Sequence, residues 1–288
     1  MASLRDLRKR ISTVKNTRQI TKAMKMVSAS KLRRSQTALM SIRPYAYKLV
    51  SMMNSLKDGL ESFEHPLLKT GEVSKVRLLI ISSDRGLCGA YNSNIIKTAE
   101  RYLKEAGLDS SNCTMDFIGK KAYDYFKKRY SNIGDNYRVE QNPKYEEVEY
   151  ISERLIENYI EGEFDSLVVV YNEFKSAISQ KITIERLFPI IPPDYQEKAN
   201  NDLNIYEPDK GEILNYVLPK YVGIEIFRMI IESLTSEYGA RMTAMENATK
   251  NSDDIIKRIT LLYNRTRQAA ITTELSEIVG GKEALEIG

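Results

Sequence analysis

SLRDLRKRISTVKNTRQITKAMKMVSASKLRRSQTALMSIRPYAYKLVSMMNSLK, residues 3–57, is the stretch that decides the fold. Apolar residues recur in it at intervals of three and four. Leu4, Leu7, Ile11 and Val14 open the pattern, and Leu32, Leu39, Ile42, Ala46, Leu49, Met53 and Leu56 resume it. The same spacing governs the far end of the chain through Ile213, Val217, Ile224, Phe227, Ile231, Leu234, Tyr238, Met245, Ala248, Ile255, Ile259, Leu262 and Ala269. A repeat of about 3.5 residues marks a helix seam buried against another helix. Two such helices leaving one central domain predict an antiparallel coiled coil. At ~1.5 Å per residue the first helix spans roughly 80 Å. Pro44 removes one of its backbone hydrogen bonds and predicts a kink near Ile42 or a division into two segments.

Between the helices the pattern changes. Val76–Ser82 (VRLLIIS) is an apolar run of strand length without alternation, as expected for a strand buried on both faces of a parallel sheet. Outward from it the chain reads as a helix near Tyr91–Ala106, a strand at Thr114–Ile118, a helix at Lys120–Tyr130 and a short strand around Arg138. A helix at Tyr145–Ile160 and strands at Ser166–Tyr171 and Ile182–Phe188 follow. Strands alternating with helices predict a small doubly wound, Rossmann-like α/β domain. The domains expected are an N-terminal coiled-coil helix at 1–57, the α/β domain at 75–195, closed by Pro192-Pro193, and a C-terminal helix at 208–288 that pairs with the first. His65-Pro66 to Gly71 is a linker. Pro208 and Asp209 offer a start for the last helix, and Pro219 a restart from which it runs to about Leu285. Its greater length leaves part of it unpaired at the tip.

The 288 residues hold no apolar run long enough to span a bilayer, and Met1-Ala2-Ser3-Leu4-Arg5 lacks the apolar core of a signal peptide. Cys88 and Cys113 are the only cysteines, too few for a disulfide framework, which points to a reduced, intracellular setting. The net charge of +4 conceals an asymmetry: residues 1–57 carry +13 and the remainder −9. A basic arm on an acidic body points to an acidic partner surface, nucleic acid or anionic lipid.

The gaps in the seam are informative too. Continuing the heptad phase gives Arg18, Thr21, Lys25 and Ser28, all polar, while the apolar residues move one position back, to Ile20, Met24 and Val27. Either the stripe rotates around the helix, or Met24 and its neighbours face a second partner. The C-terminal seam also turns small or polar at Ser252, Thr266, Thr273 and Ser276. Polar seam residues weaken packing and fix register, which suits a surface that slides.

No catalytic constellation emerges. Ser82-Ser83-Asp84-Arg85-Gly86-Leu87-Cys88-Gly89 follows a strand and precedes a helix, where α/β domains cradle phosphate. It is neither a P-loop nor a GxGxxG fingerprint, and a tight structural turn is the simpler reading. The lone histidine, His65, leaves no His-based triad, and no His/Cys cluster is spaced for zinc. Cys88 near a helix start reads as a buried structural cysteine, and the pairs Glu146-Glu147 and Asp253-Asp254 as solvated faces. The basic helix lacks aromatic interleaving before Tyr45, so stacking platforms are missing. A nucleic-acid-binding coiled coil and a phosphate-binding enzyme using the Asp84–Gly89 turn remain the alternatives.

Three blocks resemble the gamma subunit of F-type ATP synthase: Ile11–Val27 (ISTVKNTRQITKAMKMV), Ser83–Gly89 (SDRGLCG) and Tyr263–Ile278 (YNRTRQAAITTELSEI). Their order and the helix–domain–helix plan extend the resemblance over essentially the whole chain. It implies a non-catalytic central rotor shaft, with no cofactor or metal, that transmits rotation between a membrane c ring and a ring of alpha and beta subunits. The epsilon subunit stands beside it, nucleic acid is not a partner, and the membrane is touched through the c ring only. The resemblance places the chain at the cytoplasmic face of a bacterial plasma membrane. Carried over, it assigns Met24, Lys25 and Lys22 to the acidic loops of beta subunits. Arg267, Gln268, Thr272 and Glu274 would engage beta-subunit loops, with Arg241 a further coupling residue, and Tyr206 and Glu207 would form the foot on the c ring. The paired-cysteine insert of chloroplast members is absent.

Overall fold

The computed structural model describes residues 3–55, 65–69, 71–191 and 210–287. Helix α1 is Leu4–Ser55 and strand β1 is Val76–Ile81. Helix α2 (Tyr91–Glu105), β2 (Cys113–Ile118), α3 (Lys120–Phe126), β3 (Ile133–Tyr137) and α4 (Tyr145–Ile160) follow. The hairpin β4 (Ser166–Phe174) and β5 (Gln180–Phe188) then precedes the terminal helix α5, Lys210–Ile287. The chain divides into two compact units, residues 28–241 and residues 1–27 with 242–288. The central unit is thus larger than the expected 75–195, because the sheet takes flanking helical segments into its core.

Five strands lie in the order β3-β2-β1-β4-β5. The pairs β3·β2, β2·β1 and β1·β4 are parallel. Strand β5 closes the edge antiparallel to β4, so the doubly wound sheet is mixed. Every residue of β1 is buried, as the unalternating run requires. Its side chains divide by parity. Leu79 and Ile81 enter a core with α1, α4 and α5, where Met53, Leu155, Leu214 and Leu218 are buried. Leu78 and Ile80 enter a second core with Ile95 of α2 and Phe126 of α3. Only a strand covered on both faces tolerates this.

Several boundaries differ from expectation. The short strand lies at Ile133–Tyr137, ahead of Arg138. Helix α3 stops at Phe126, whose carbonyl accepts from Arg129 and Tyr130 in a closing turn. Helix α1 is one element through Pro44, and α5 continues through Pro219 with no restart. An interior proline costs roughly 3 kcal/mol. Beside Pro219, Leu214, Leu218 and Val222 are fully buried, each contributing about 1.5–3 kcal/mol, so packing outweighs the break. Pro192-Pro193, Tyr206, Glu207, Pro208, Asp209 and Leu56 lie outside the described residues.

The β2–β3 pairing slips between Met115 and Phe117. There the buried Asp116 carboxylate accepts the Asp135 N–H through Oδ1 at 2.9 Å, in place of a ladder bond. A Cβ on Gly134 would stand 2.1 Å from that oxygen, so this approach requires glycine. Asp116 Oδ2 lies 3.8 Å from Arg77 Nε, and neither atom has a hydrogen-bond partner. Burial pushes the Asp116 carboxyl up to about 6, against the pull of Arg77. A raised carboxyl pKa means the folded state holds the proton more tightly than the unfolded chain. Asp116 therefore stabilises the fold fully below its ordinary value of 3.8, and this contribution is lost as pH rises through about 6. Asp116→Asn should abolish it. The stability of the native chain relative to the variant, measured by urea unfolding, is expected to fall by up to about 3 kcal/mol between acid and neutral pH.

Candidate functional site

Helices α2 and α3 pack on one face of the sheet and α4 on the other, so the crossover direction reverses between β1 and β4. Doubly wound proteins bind ligands outside the carboxyl ends of the strands at such a switch point. Here that place belongs to α5. Strand β4 runs on past β1, which leaves polar backbone groups at its end. The Asn172 N–H donates to Ser233 Oγ at 3.0 Å, and Ser236 Oγ donates to the Asn172 carbonyl at 3.2 Å. The Phe174 N–H donates to the Glu232 carboxylate at 3.2 Å. The Tyr91 hydroxyl, at the start of α2, donates to the Ser233 carbonyl at 3.0 Å.

Two turns further along, Arg241 reaches the β1–α2 turn. Its guanidinium donates to the Gly86 carbonyl at 3.2 Å and the Arg85 carbonyl at 3.3 Å, and pairs with the buried Glu237 at 2.7 Å. A phosphate cradle turns N–H groups toward its ligand. This turn directs carbonyls at a cation of its own chain. Its other polar groups are engaged as well. The Ser83 N–H donates to Asn92 Oδ1 at 3.1 Å, and Asp84 Oδ1 accepts the Lys120 N–H at 3.0 Å. Leu87 and Gly89 adopt positive φ to close the turn. Burial raises the Cys88 thiol above its ordinary pKa, the reverse of an activated thiolate. The structural turn accounts for these contacts better than a phosphate site does. Burial likewise pushes the Cys113 thiol up to about 12.

A cavity of about 490 Å³ opens between α1, α5 and the β4–β5 hairpin. Its cations face carboxylates. Arg228 meets Glu225 at 2.5 Å and Glu185 and Glu232 at 3.4 Å, Arg43 meets Glu232 at 3.3 Å, and Lys175 meets Glu173 at 2.5 Å. Among the described residues no group of three or more His, Cys, Asp or Glu side chains is placed to hold a metal ion. No described helix is long and apolar enough to cross a membrane.

The second unit, residues 1–27 with 242–288, is a helix pair. Arg18 meets Asp253 at 2.9 Å, the hydroxyls of Thr21 and Thr249 lie 2.8 Å apart, and Lys25 meets Glu246 at 3.3 Å. One number rises as the other falls, so the pair is antiparallel. Burial keeps strict heptad phase: Leu7 and Thr21 are buried, with Leu4, Ile11, Val14, Arg18 and Lys25 half-buried between and beyond them. The stripe does not rotate to follow the apolar residues. Thr21 stays inside at 8 % exposure, while Ile20 and Val27 face outward at 60 % and 56 %. Hydroxyls and ion pairs thus share the seam with Leu7 and Met245, and Ile20, Met26 and Val27 are left facing outward.

Met24 is half-buried, and Lys22 is exposed. Lys25 is committed to Glu246, which Lys250 shares at 3.6 Å. Arg267, Gln268, Thr272 and Glu274 are exposed, as is every residue from 267 to 282. Glu246 and Arg267 are about 30 Å apart along α5, so the two expected contact groups occupy separate stations. Arg241 belongs to the other unit and is turned inward. Sequence reasoning missed Glu232, Ser233 and Ser236. The signal was the polar run Glu232-Ser233-Leu234-Thr235-Ser236-Glu237 inside an apolar seam.

A profile described as ATP synthase matches residues 3–285. An ATP synthase gamma chain from Geotalea daltonii is 45% identical over 287 residues, 99% of this chain and 100% of the relative. The chain belongs to the ATP synthase gamma family. A second gamma chain, from Trichlorobacter lovleyi, is 44% identical over 290 residues, again 99% of this chain and 100% of the relative. Among solved structures, a chain of the Euglena gracilis mitochondrial ATP synthase (OSCP/F1/c-ring) matches with TM-score 0.69 at 23% identity. That match covers 99% of this chain and 95% of the other. One from the Tetrahymena thermophila mitochondrial ATP synthase (central stalk/c-ring) matches with TM-score 0.62 at 24% identity, covering 80% and 99%. At these identities the structures establish a shared fold.

Arg241→Ala would leave buried Glu237 without its cation and two turn carbonyls without their donor. The expected loss is about 3–5 kcal/mol in urea unfolding, with amide-exchange protection lost first over residues 83–90.

Proposed function

We propose that this gamma-family chain is the central rotor shaft of an F-type ATP synthase. It transmits rotation between a proton-driven c ring and a catalytic alpha/beta ring, and holds no catalytic site of its own. One observation carries the reading: the antiparallel pair of 1–27 and 242–288 buries Thr21 and Ser252 in its seam beside Leu7 and Met245, while Ile20 and Val27 face solvent. A helix pair built to stand alone would bury apolar side chains at those polar positions. Family membership supplies the context, and the two solved structures come from an F1/c-ring assembly and a central stalk.

On this reading the mechanism is asymmetric contact. The shaft presents a different face to each catalytic subunit and shifts each between states by differential contact energy. Its contacts must be individually shallow, since a deep well would stall rotation. Exposed ion pairs are worth about 0–1 kcal/mol, which meets that condition. Met24, Lys25, Arg267, Gln268, Thr272 and Glu274 are the proposed contacts to the ring. Lys25 reaches a beta-subunit carboxylate by exchanging Glu246 for it. Arg241 contributes by fixing the turn that carries Arg85 and Leu87. Tyr206 and Glu207 are the proposed foot on the c ring, beside epsilon. The chain is then peripheral, at the cytoplasmic face of a bacterial plasma membrane.

The chain should co-purify stoichiometrically with alpha, beta and epsilon subunits as an ATPase, and absence of that complex would sink the assignment. Within it, Met24→Lys should leave assembly intact and lower the proton-pumping yield per ATP hydrolysed several-fold. Normal coupling in that variant would remove Met24 from the contact set.

A further inference from the structure

Residues 58–288 sum to −9, yet one stretch of eleven within them is strongly basic. Lys120-Lys121-Ala122-Tyr123-Asp124-Tyr125-Phe126-Lys127-Lys128-Arg129-Tyr130 carries five cations against one acid. It comprises α3 and the turn that closes it. Ala122 and Phe126 are buried against the sheet, Tyr123, Tyr125 and Tyr130 pack half-buried beside them, and Lys120, Lys121, Lys127, Lys128 and Arg129 face outward. Lys120, Lys121 and Lys128 are exposed and form no ion pair among the described residues. We propose that this face of the α/β domain is a docking surface for an anionic phospholipid bilayer. It would add a direct lipid contact to the expected route through the c ring.

Charge complementarity is the first argument. Each Lys or Arg held near an anionic membrane is worth about 1 kcal/mol, and these cations lie close enough together to act within one Debye length. The tyrosines supply the second, because their ring faces are already covered. Lys127 sits over Tyr123 at 4.8 Å from the centroid, and Arg129 over Tyr125 at 3.8 Å. The Tyr125 hydroxyl is fixed on Glu100 at 2.8 Å. Rings capped by cations offer no platform on which bases stack, which disfavours single-stranded nucleic acid. What remains outward is positive charge with half-buried phenols between, the amphipathic arrangement suited to a headgroup layer. The third argument rests on the rotor reading. A protein stator paired with this patch would create an angular well, whereas a fluid layer of headgroups presents the same field at every angle.

The test uses the full chain. Both native cysteines are buried, so Ser131→Cys, exposed at the edge of the patch, can be labelled alone with an environment-sensitive dye. Vesicles of phosphatidylglycerol and phosphatidylcholine should shift its emission at low salt, and pure phosphatidylcholine should not. Replacing Lys120, Lys127 and Lys128 by Gln should weaken the partitioning on the order of 100-fold. Replacing Arg5, Arg8 and Lys9 by Gln on α1 should leave the dye response in place, which separates this patch from the basic helix. An undiminished response in the α3 variant would overturn the proposal. So would duplex DNA that shifts the dye as strongly as vesicles at equal phosphate, which would assign the patch to nucleic acid. Vesicle binding is read on the chain itself, so its failure is distinct from failure to co-purify with the ring.

Discussion

The hydrogen bonds between one polar turn of α5 and the end of β4 are the constraint on which the central unit depends. A strand that outruns its neighbour leaves N–H and C=O groups that burial would make costly. Glu232, Ser233 and Ser236 satisfy them, and the two residues they hold, Asn172 and Phe174, also pair with β5. One helix position thus sets the end of the parallel sheet, the start of its antiparallel edge and the place of Tyr91 at the head of α2. Arg241 extends the same grip to the turn after β1. The place where related folds admit a ligand is occupied here by the chain's own backbone and side chains, which converts a binding crevice into a joint.

Polarity inside the molecule serves two different ends. At the switch point the buried polar groups are dense and, apart from Asn172 Nδ2, hydrogen-bonded, so that losing one partner strands another. In the helix pair of 1–27 and 242–288 they are sparse: Thr21 and Ser252 are buried, and the ion pairs are half-exposed. Arg18–Asp253 and Lys25–Glu246 sit in contact with solvent, where such pairs fix register while adding little energy. Dense networks suit a seat that must hold, and sparse ones a surface that exchanges partners.

Much of this was legible in residue order. The unalternating VRLLII predicts a strand covered on both faces, and β1 divides its side chains between two cores. The heptad phase, followed through Thr21 and Ser28, predicts burial better than the hydrophobicity of Ile20 or Val27, because helix geometry is stiffer than side-chain preference. The direction of β5 was not legible, since a single apolar strand carries no sign of its partner's polarity. Pro219 misled because local propensity costs about 3 kcal/mol and tertiary burial exceeds it. Family likeness suggested Arg241 as a coupling residue, whereas its inward contacts were not legible, because they depend on a turn 155 positions earlier in the chain.

That separation in sequence has a consequence for synthesis. Arg18 meets Asp253 across 235 positions, and Thr21 meets Thr249 across 228. At translation rates of 5–20 residues per second, α1 leaves the ribosome on the order of 10–50 s before its seam partner exists. For that interval Leu7, Ile11 and Val14 stand uncovered on a strongly basic helix. The same like charges that ask for an acidic partner in the finished protein keep nascent copies of the helix from pairing with one another.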